Sequence, residues 1–545
     1  MTDKVHDAVI VGSGAAGAFA AQVLTARGLD VVMLEAGRTL GPADFDPARK
    51  VGAKRGLNIL ERAEATLMGQ PVQARAVFFR KWQAHLFIND RRNPYTTPKD
   101  APFLWIRARQ RGGRMHSYGR VLMRWSDEEF LAHSRRGVGV DWPVTYADLA
   151  PFYDEVERCL AIRGNADGIP EMPDGQYAGP SPLTAAEAMF KARAEAAVPG
   201  LRIAGWRFAL PDPDRMQRPL REALASGRLT LHSDAVARQI LTDQGSGRAT
   251  GVDYIDTVTG ARRTVRARSV VLCASPVESV RLMALSASSR HPGGIGNGHD
   301  QLGRYFQDQL PLVAQGDFPP VPGGAPMPAV SPDPFYDPSG GIFIARRAGH
   351  DFAFQGVIGH ETLPEDQPGR MAFFGYGEMR PSATNRITVS ATRKDAWEIP
   401  VPHICCRIGP EDVATLRAQS ESLRATVAAA GGRLEFLGTP LGLQEWGPGA
   451  YPKERALNRF LFRHMFRRTM VMGAAIHESG GARMGDAPDR SVLNPWAQCW
   501  EVPNLIVTDA AGFAGGGVTG TTLTVMALTV RACRHLAGEL AADRL

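Results

Sequence analysis

Cysteine is scarce in this chain: six in 545 residues, Cys159, Cys273, Cys405, Cys406, Cys499 and Cys533, with no C-x-x-C pair and no His/Cys ligand spacing. That excludes a disulfide framework or a zinc site of the usual spacings, and fits reduced, mostly buried thiols in a cytosolic protein with no bound metal. Lysine is nearly as scarce. Eight lysines leave arginine to supply almost all of the 63 basic residues, against 56 acidic ones, for a net charge of +7. No block of consecutive basic residues and no basic/aromatic stripe occurs, so the charge reads as solvated surface and no nucleic-acid partner is expected. No run of 18 apolar residues is present either, so no membrane span is expected. The first residues, Met1 to Asp7, enter an apolar strand directly, without a basic stretch followed by an apolar one. A cytoplasmic location is therefore expected.

What is there is a globular composition, 44% hydrophobic and 22% charged, at a length that calls for two or three structural regions. The most informative segment is Ala8-Val9-Ile10-Val11-Gly12-Ser13-Gly14-Ala15-Ala16-Gly17, followed by Val31-Val32-Met33-Leu34-Glu35-Ala36. The apolar run is a buried strand and the Ala-rich stretch a helix. Gly12 allows the tight turn, Gly14 lets a pyrophosphate approach the backbone, and Gly17 lets helix pack on strand. Free N–H groups and the dipole at the helix start favour phosphate. Glu35, at the end of the second strand, has the spacing of a ribose-hydroxyl acceptor. A dinucleotide site follows.

Further along, a polar, proline-punctuated stretch around Phe87 to Pro98 reads as a lid over a site or an ordered surface excursion. Gln110-Arg111-Gly112-Gly113 is a turn able to bring backbone close to a flat cofactor. Thr145 caps a helix from Tyr146 to Ala161. Strands from Leu229 through Val236 to Ala267 feed the apolar Val270 to Ala274 and a helix through Leu285. Between about 311 and 400, alternating strands, Arg386 to Val389 among them, predict an antiparallel sheet with a helix from Pro410 to Ala430 against it; the Pro/Gly-rich stretch 318–341 and the loop 361–369 separate the strands. His477-Glu478-Ser479-Gly480-Gly481-Ala482-Arg483-Met484-Gly485 places a histidine on a Gly-rich loop. Val502 to Asp509 is a buried strand ending in an acid, and Ala510, a glycine run and Thr522 lead into a helix to Ala541. This repeats the physics of the first motif and turns His477 towards catalysis.

Together these segments resemble the glucose-methanol-choline flavoprotein oxidoreductases over nearly the whole chain. The resemblance rests on the Gly12/Gly14/Gly17/Glu35 set, Gly112-Gly113, Asp141-Trp142-Pro143, Val236, Gly303-Arg304-Tyr305-Phe306-Gln307-Asp308, the His477 to Gly485 loop, and Pro503 through Asp509 to Thr522-Leu523-Thr524. It implies an α/β fold with a discontinuous Rossmann-like domain binding FAD (1–140, with a lid at about 60–105, 225–310 and 470–545). A substrate domain with a large antiparallel sheet would be built from 141–224 and 311–469. Cofactor contacts are then expected from Gly12, Ser13, Gly14, Ala15, Ala16, Gly17, Glu35, Ala36, Arg111, Gly112, Gly113, Val236, Asp509, Ala510, Thr521 and Thr522.

Asn89-Asp90-Arg91, Asn93 to Thr97, and Lys394 to Pro400 look most like bacterial sugar and glycoside dehydrogenases, whose relatives also oxidise amino sugars in antibiotic pathways. The implied reaction is oxidation of a carbohydrate hydroxyl to a ketone or aldehyde. His477 would take the hydroxyl proton as hydride leaves to the flavin, with oxygen, a quinone or a protein as electron acceptor. The rival readings are a non-sugar alcohol oxidase, a non-redox lyase of the same fold, and a nicotinamide enzyme or non-catalytic module. The chain departs from the family at two places. Gly520 stands where relatives carry a second catalytic His or Asn, so either Thr519 or Thr521 supplies a hydroxyl, or His477 works alone; the two threonines also suit capping of the helix start. His116 falls one residue short of a flavin-linking histidine, so a dissociable flavin is expected.

Overall fold

The computed structural model describes residues 4–46, 48, 59–212, 214–321, 340–360, 368–446 and 456–545. Most of the 318–341 stretch and of the 361–369 loop lies outside the described residues. Val5–Val11 pairs in parallel with Val31–Leu34 on one side and Arg262–Leu272 on the other, with Val11 opposite both Leu34 and Leu272. Leu229–His232 adds a parallel strand beyond Val31–Leu34, and Leu505–Val507 pairs in parallel with the end of Arg262–Leu272. Val9, Ile10, Val32, Val270, Val271 and Ile506 are buried, the all-apolar signature of strands covered on both faces. Ala235–Thr242 and Ala249–Asp256 complete the sheet as an antiparallel meander. Helices Ala15–Ala26 and Thr522–Ala541 pack on one another. The carboxyl ends of the parallel strands therefore meet at one edge, where ligands bind in sheets of this kind.

A second, seven-stranded sheet is antiparallel and runs in the order Gly442–Glu445, Arg433–Thr439, Leu310–Phe318, Gly369–Gly377, Phe352–Ile358, Ile342–Ile344, Ile203–Gly205. On one face Phe318 and Phe373 are buried in one cluster with Phe190 of helix Ala185–Ala197 and with Leu423 and Val427 of helix Pro410–Ala429. Strand alternation hands the opposite face to Phe374 and Tyr376. The Arg386 strand does not join this sheet as expected. Arg386–Lys394 pairs with Pro400–Cys405 in a separate ribbon against helix Pro276–Leu285, because Ile387 and Ile404 join the apolar cluster of that helix. Thr145 caps helix Tyr146–Leu160, its hydroxyl and the Asp148 carboxylate satisfying each other's backbone N–H. Among the described residues no helix is long and apolar enough to cross a membrane.

Candidate active site

The two sheets face each other across a cavity of about 670 Å³, within the size range of small-molecule sites. One end is built by the first glycine loop. Gly12 holds φ +100°, and a Cβ there would stand 2.4 Å from the Cys273 carbonyl oxygen; a Cβ on Gly17 would stand 1.9 Å from Gly12 O. Both are glycine because helix and strand leave no room for more. Gly14 differs: a Cβ there would meet nothing within 4 Å, so its bare backbone faces the cavity. It is the N-cap of helix Ala15–Ala26, and no side chain caps the helix. The first N–H groups are left to an anion in the cavity.

Glu35 is buried behind this loop. Its Oε2 accepts from Ser13 Oγ at 2.6 Å and Ser13 N at 3.1 Å, and its Oε1 accepts from Gly37 N at 2.8 Å. Burial raises its pKa against these bonds. Ser13 Oγ in turn accepts from Gly112 N at 3.0 Å, tying the Gly-Gly turn to the first motif. Gly113 faces Gly14, whose Cα would stand 3.6 Å from a Cβ built on Gly113, and it lines the cavity. Arg111, Gly112 and Gly17 do not. The Arg111 guanidinium donates to Leu40 O at 3.2 Å, and Gly112 serves the fold, with φ +86° and no space for a Cβ beside His116. His116 is likewise turned away, Nε2 2.7 Å from Arg111 O, with burial lowering its pKa to about 4. Ala15, Ala16, Ala36 and Val236 line the cavity, as do Asp509, Ala510, Thr521 and Thr522 at its other side. Asp509 accepts from Ala511 N at 2.9 Å and from Ser279 Oγ, and burial raises its pKa to about 6.

His477 stands between the halves. Its loop is held by Asp308, whose carboxylate accepts from His477 N at 2.9 Å and Ala475 N at 3.2 Å. That grip keeps Ile476 at φ +63°, a costly conformation for a β-branched residue. Gln309 donates from Nε2 to the carbonyls of Gly516 (2.8 Å) and Thr519 (2.7 Å), which fixes its amide orientation. Its Oε1 therefore faces His477 Nδ1, at 2.6 Å, and can only accept. The imidazole proton sits on Nδ1, leaving the Nε2 lone pair free. Burial, then the Arg114 guanidinium, lowers the His477 pKa to about 3, so the ring is neutral. Arg114 reaches Glu478 at 2.7 Å, and burial with the Glu478 charge pushes Asp308 up to about 7. The Tyr376 ring lies 4.9 Å from the imidazole, and Val313, Phe343, Gln355 and Phe374 continue that wall.

Thr521 lines the cavity at the start of helix Thr522–Ala541, and its hydroxyl does not cap that helix. Thr519 does not line the cavity; its Oγ1 is buried without a partner among the described residues. Gln309 and Tyr376 are site residues that sequence reasoning did not single out, and Asp308 entered it only as the end of the Gly303 to Asp308 motif.

The arrangement fits a flavin dinucleotide. Two helix starts without side-chain caps face the cavity, Gly14 leaves the approach open, and a buried acid stands behind the loop. With a neutral histidine beside it, the arrangement is that of a flavin-type alcohol oxidoreductase site. Two models of the GMC oxidoreductase family match residues 214–310 and 381–529, and an NAD(P)-binding Rossmann-like domain matches residues 10–64. The chain belongs to the GMC oxidoreductases, FAD-dependent enzymes acting on CH–OH groups. It is 26% identical to 2-methyl-1,2-propanediol dehydrogenase of Mycolicibacterium austroafricanum over 96% of this chain and 94% of that protein. It is also 26% identical to 6'''-hydroxyparomomycin C oxidase of Streptomyces lividus, over 99% and 93%. Pyridoxine 4-oxidase from Mesorbium loti shares the fold at TM-score 0.60 and 18% identity, covering 97% of this chain and 99% of that one.

Proposed function

We propose that this enzyme oxidises a hydroxyl-bearing carbon of a neutral sugar or glycoside to a ketone or aldehyde, with His477 as the base. The observation that carries the reading is the free Nε2 lone pair, fixed by Gln309 and turned to the cavity where the cofactor end meets the sheet wall. The residues that would hold FAD are Gly12 to Ala16, Glu35, Gly113, Val236, Asp509, Ala510 and the helix start at Thr521 and Thr522. Bound there, FAD supplies the hydride acceptor. The protein's part is the proton: Nε2 accepts it from the substrate hydroxyl, and Gln309 stabilises the imidazolium through Nδ1. General-base catalysis of this type contributes roughly 10²–10⁴-fold.

The substrate class follows from the wall. Phe343, Phe374 and Tyr376 offer aromatic faces to the C–H face of a sugar ring, and Gln355 offers one amide. Among the described residues neither these nor Pro311, Leu312 and Val313 beside them carry a carboxylate, so this part of the wall offers no charged partner to the ammonium groups of an amino sugar. The test is anaerobic bleaching of the bound flavin by a panel of methyl glycosides and aminoglycosides. Bleaching by neutral glycosides, at least about 10²-fold slower in His477→Ala, is the expected result. Bleaching by aminoglycosides alone would overturn the substrate class, and unchanged kinetics in His477→Ala would overturn the base.

A further inference from the structure

The space facing His477 Nε2 is bounded by a residue without a side chain. A Cβ built on Gly520 would meet two heavy atoms within 4 Å, Val121 O at 3.5 Å and His477 Nε2 at 3.8 Å. These are ordinary van der Waals distances, and Gly520 is not among the glycines with positive φ. Neither backbone strain nor crowding therefore calls for glycine at this position. What the glycine does is keep open a volume that a single methyl group would fill.

Both atoms facing that volume are hydrogen-bond acceptors. Val121 O is a main-chain carbonyl, and Nε2 is the unprotonated nitrogen because Gln309 holds the proton on Nδ1. Both line the cavity, as does Gly520 itself. A ligand of matching polarity brings two donors side by side. Two hydroxyls on neighbouring carbons do so; one hydroxyl beside an ether or a methylene does not. Buried acceptors left without donors cost the ligand affinity, which is how a site built for hydrogen bonds rejects the analogue lacking one.

Resting on the reading that His477 is the base of an alcohol oxidation, we propose that the substrate is a vicinal diol. One hydroxyl donates to His477 Nε2 and is oxidised. Its neighbour donates to Val121 O in the space that Gly520 leaves, and stays a hydroxyl, so that the product is an α-hydroxy carbonyl compound. Gly520 is then a specificity-determining residue.

The probes are cis-1,2-cyclohexanediol, cis-2-methoxycyclohexanol and cyclohexanol, which present the same secondary carbon beside a donor, an acceptor only, and neither. Anaerobic flavin reduction by the holoenzyme gives kcat/KM for each. The diol is expected to exceed both analogues by about tenfold or more. In Gly520→Ala, whose methyl fits without strain, that ratio is expected to fall towards one while FAD stays bound. Equal kcat/KM for the diol and its methoxy analogue, or a diol preference that survives Gly520→Ala, would overturn the proposal and leave His477 as the base. Should none of the three probes nor any glycoside bleach the flavin, the alcohol-oxidation reading itself fails and this proposal with it.

Discussion

Replacing Gln309 with leucine isolates the feature on which the proton transfer rests. In the native site Gln309 makes three bonds, donating to Gly516 O and Thr519 O and accepting from His477 Nδ1 at 2.6 Å. Leucine keeps the bulk and removes all three. The Nδ1–H tautomer then carries a buried, unpaired N–H, a penalty of roughly 1–3 kcal/mol. The ring is freed to move its proton to Nε2, where it blocks the base. At about 1.4 kcal/mol per factor of ten, the competent tautomer falls by roughly one to two orders of magnitude. Stopped-flow reduction of the bound flavin should slow by about that factor, with flavin content preserved. Gln309→Glu separates positioning from mere packing: a carboxylate at Nδ1 favours the imidazolium, so activity should vanish at mildly acidic pH and recover as pH rises. A Gln309→Leu enzyme that reduces its flavin at the native rate, or a Gln309→Glu enzyme with an unshifted pH profile, would refute the reasoning.

Gly14→Val should fold, since a Cβ there meets nothing, yet purify without flavin; Gly12→Ala, 2.4 Å from a carbonyl oxygen at φ +100°, should lose stability instead, and absorbance with thermal melts distinguishes the two. Because His477 stays neutral down to about pH 3, the reduction rate should show no inflection near 6.5, where an ordinary histidine titrates; any inflection near 7 belongs to Asp308 and should disappear in Asp308→Asn. The same shift makes stability pH-dependent: the unfolded histidine takes up a proton near 6.5 and the folded one near 3, so stability is full above about 6.5 and is lost progressively as pH falls towards 3. Melting temperatures of His477→Gln across that window should show a shallower fall than the native protein. Thr521→Val should slow flavin reduction more than Thr519→Val, since only Thr521 lines the cavity.

The glycine loop was legible because its demands are local. Gly17 is forced by a contact inside one strand–turn–helix unit, Gly12 carries the φ +100° turn between its strand and helix, and Glu35 follows the very next strand. His477 was legible through the glycines around it. Gln309 was not: it follows directly on a recognisable motif, but its meaning lies in the carbonyls of Gly516 and Thr519, some two hundred residues later. Strand alternation separated Phe373 from Phe374 and Tyr376, yet could not say which face looks onto the cavity; that is decided by helices Ala185–Ala197 and Pro410–Ala429 covering the other. Arg111 and Gly112 were expected at the cofactor, but the turn points Arg111 at Leu40 and uses Gly112 to pass His116. Arg386–Lys394 has the alternation of a sheet strand, and alternation does not choose between partners.

The most direct test of the account is anaerobic mixing of the flavin-bound enzyme with a neutral glycoside panel, native protein and His477→Asn side by side. The account predicts stoichiometric bleaching in the native enzyme, slowed by at least about 10²-fold in the variant while its flavin remains bound. Flavin that no glycoside bleaches, or that the variant reduces as fast as the native enzyme, would contradict it.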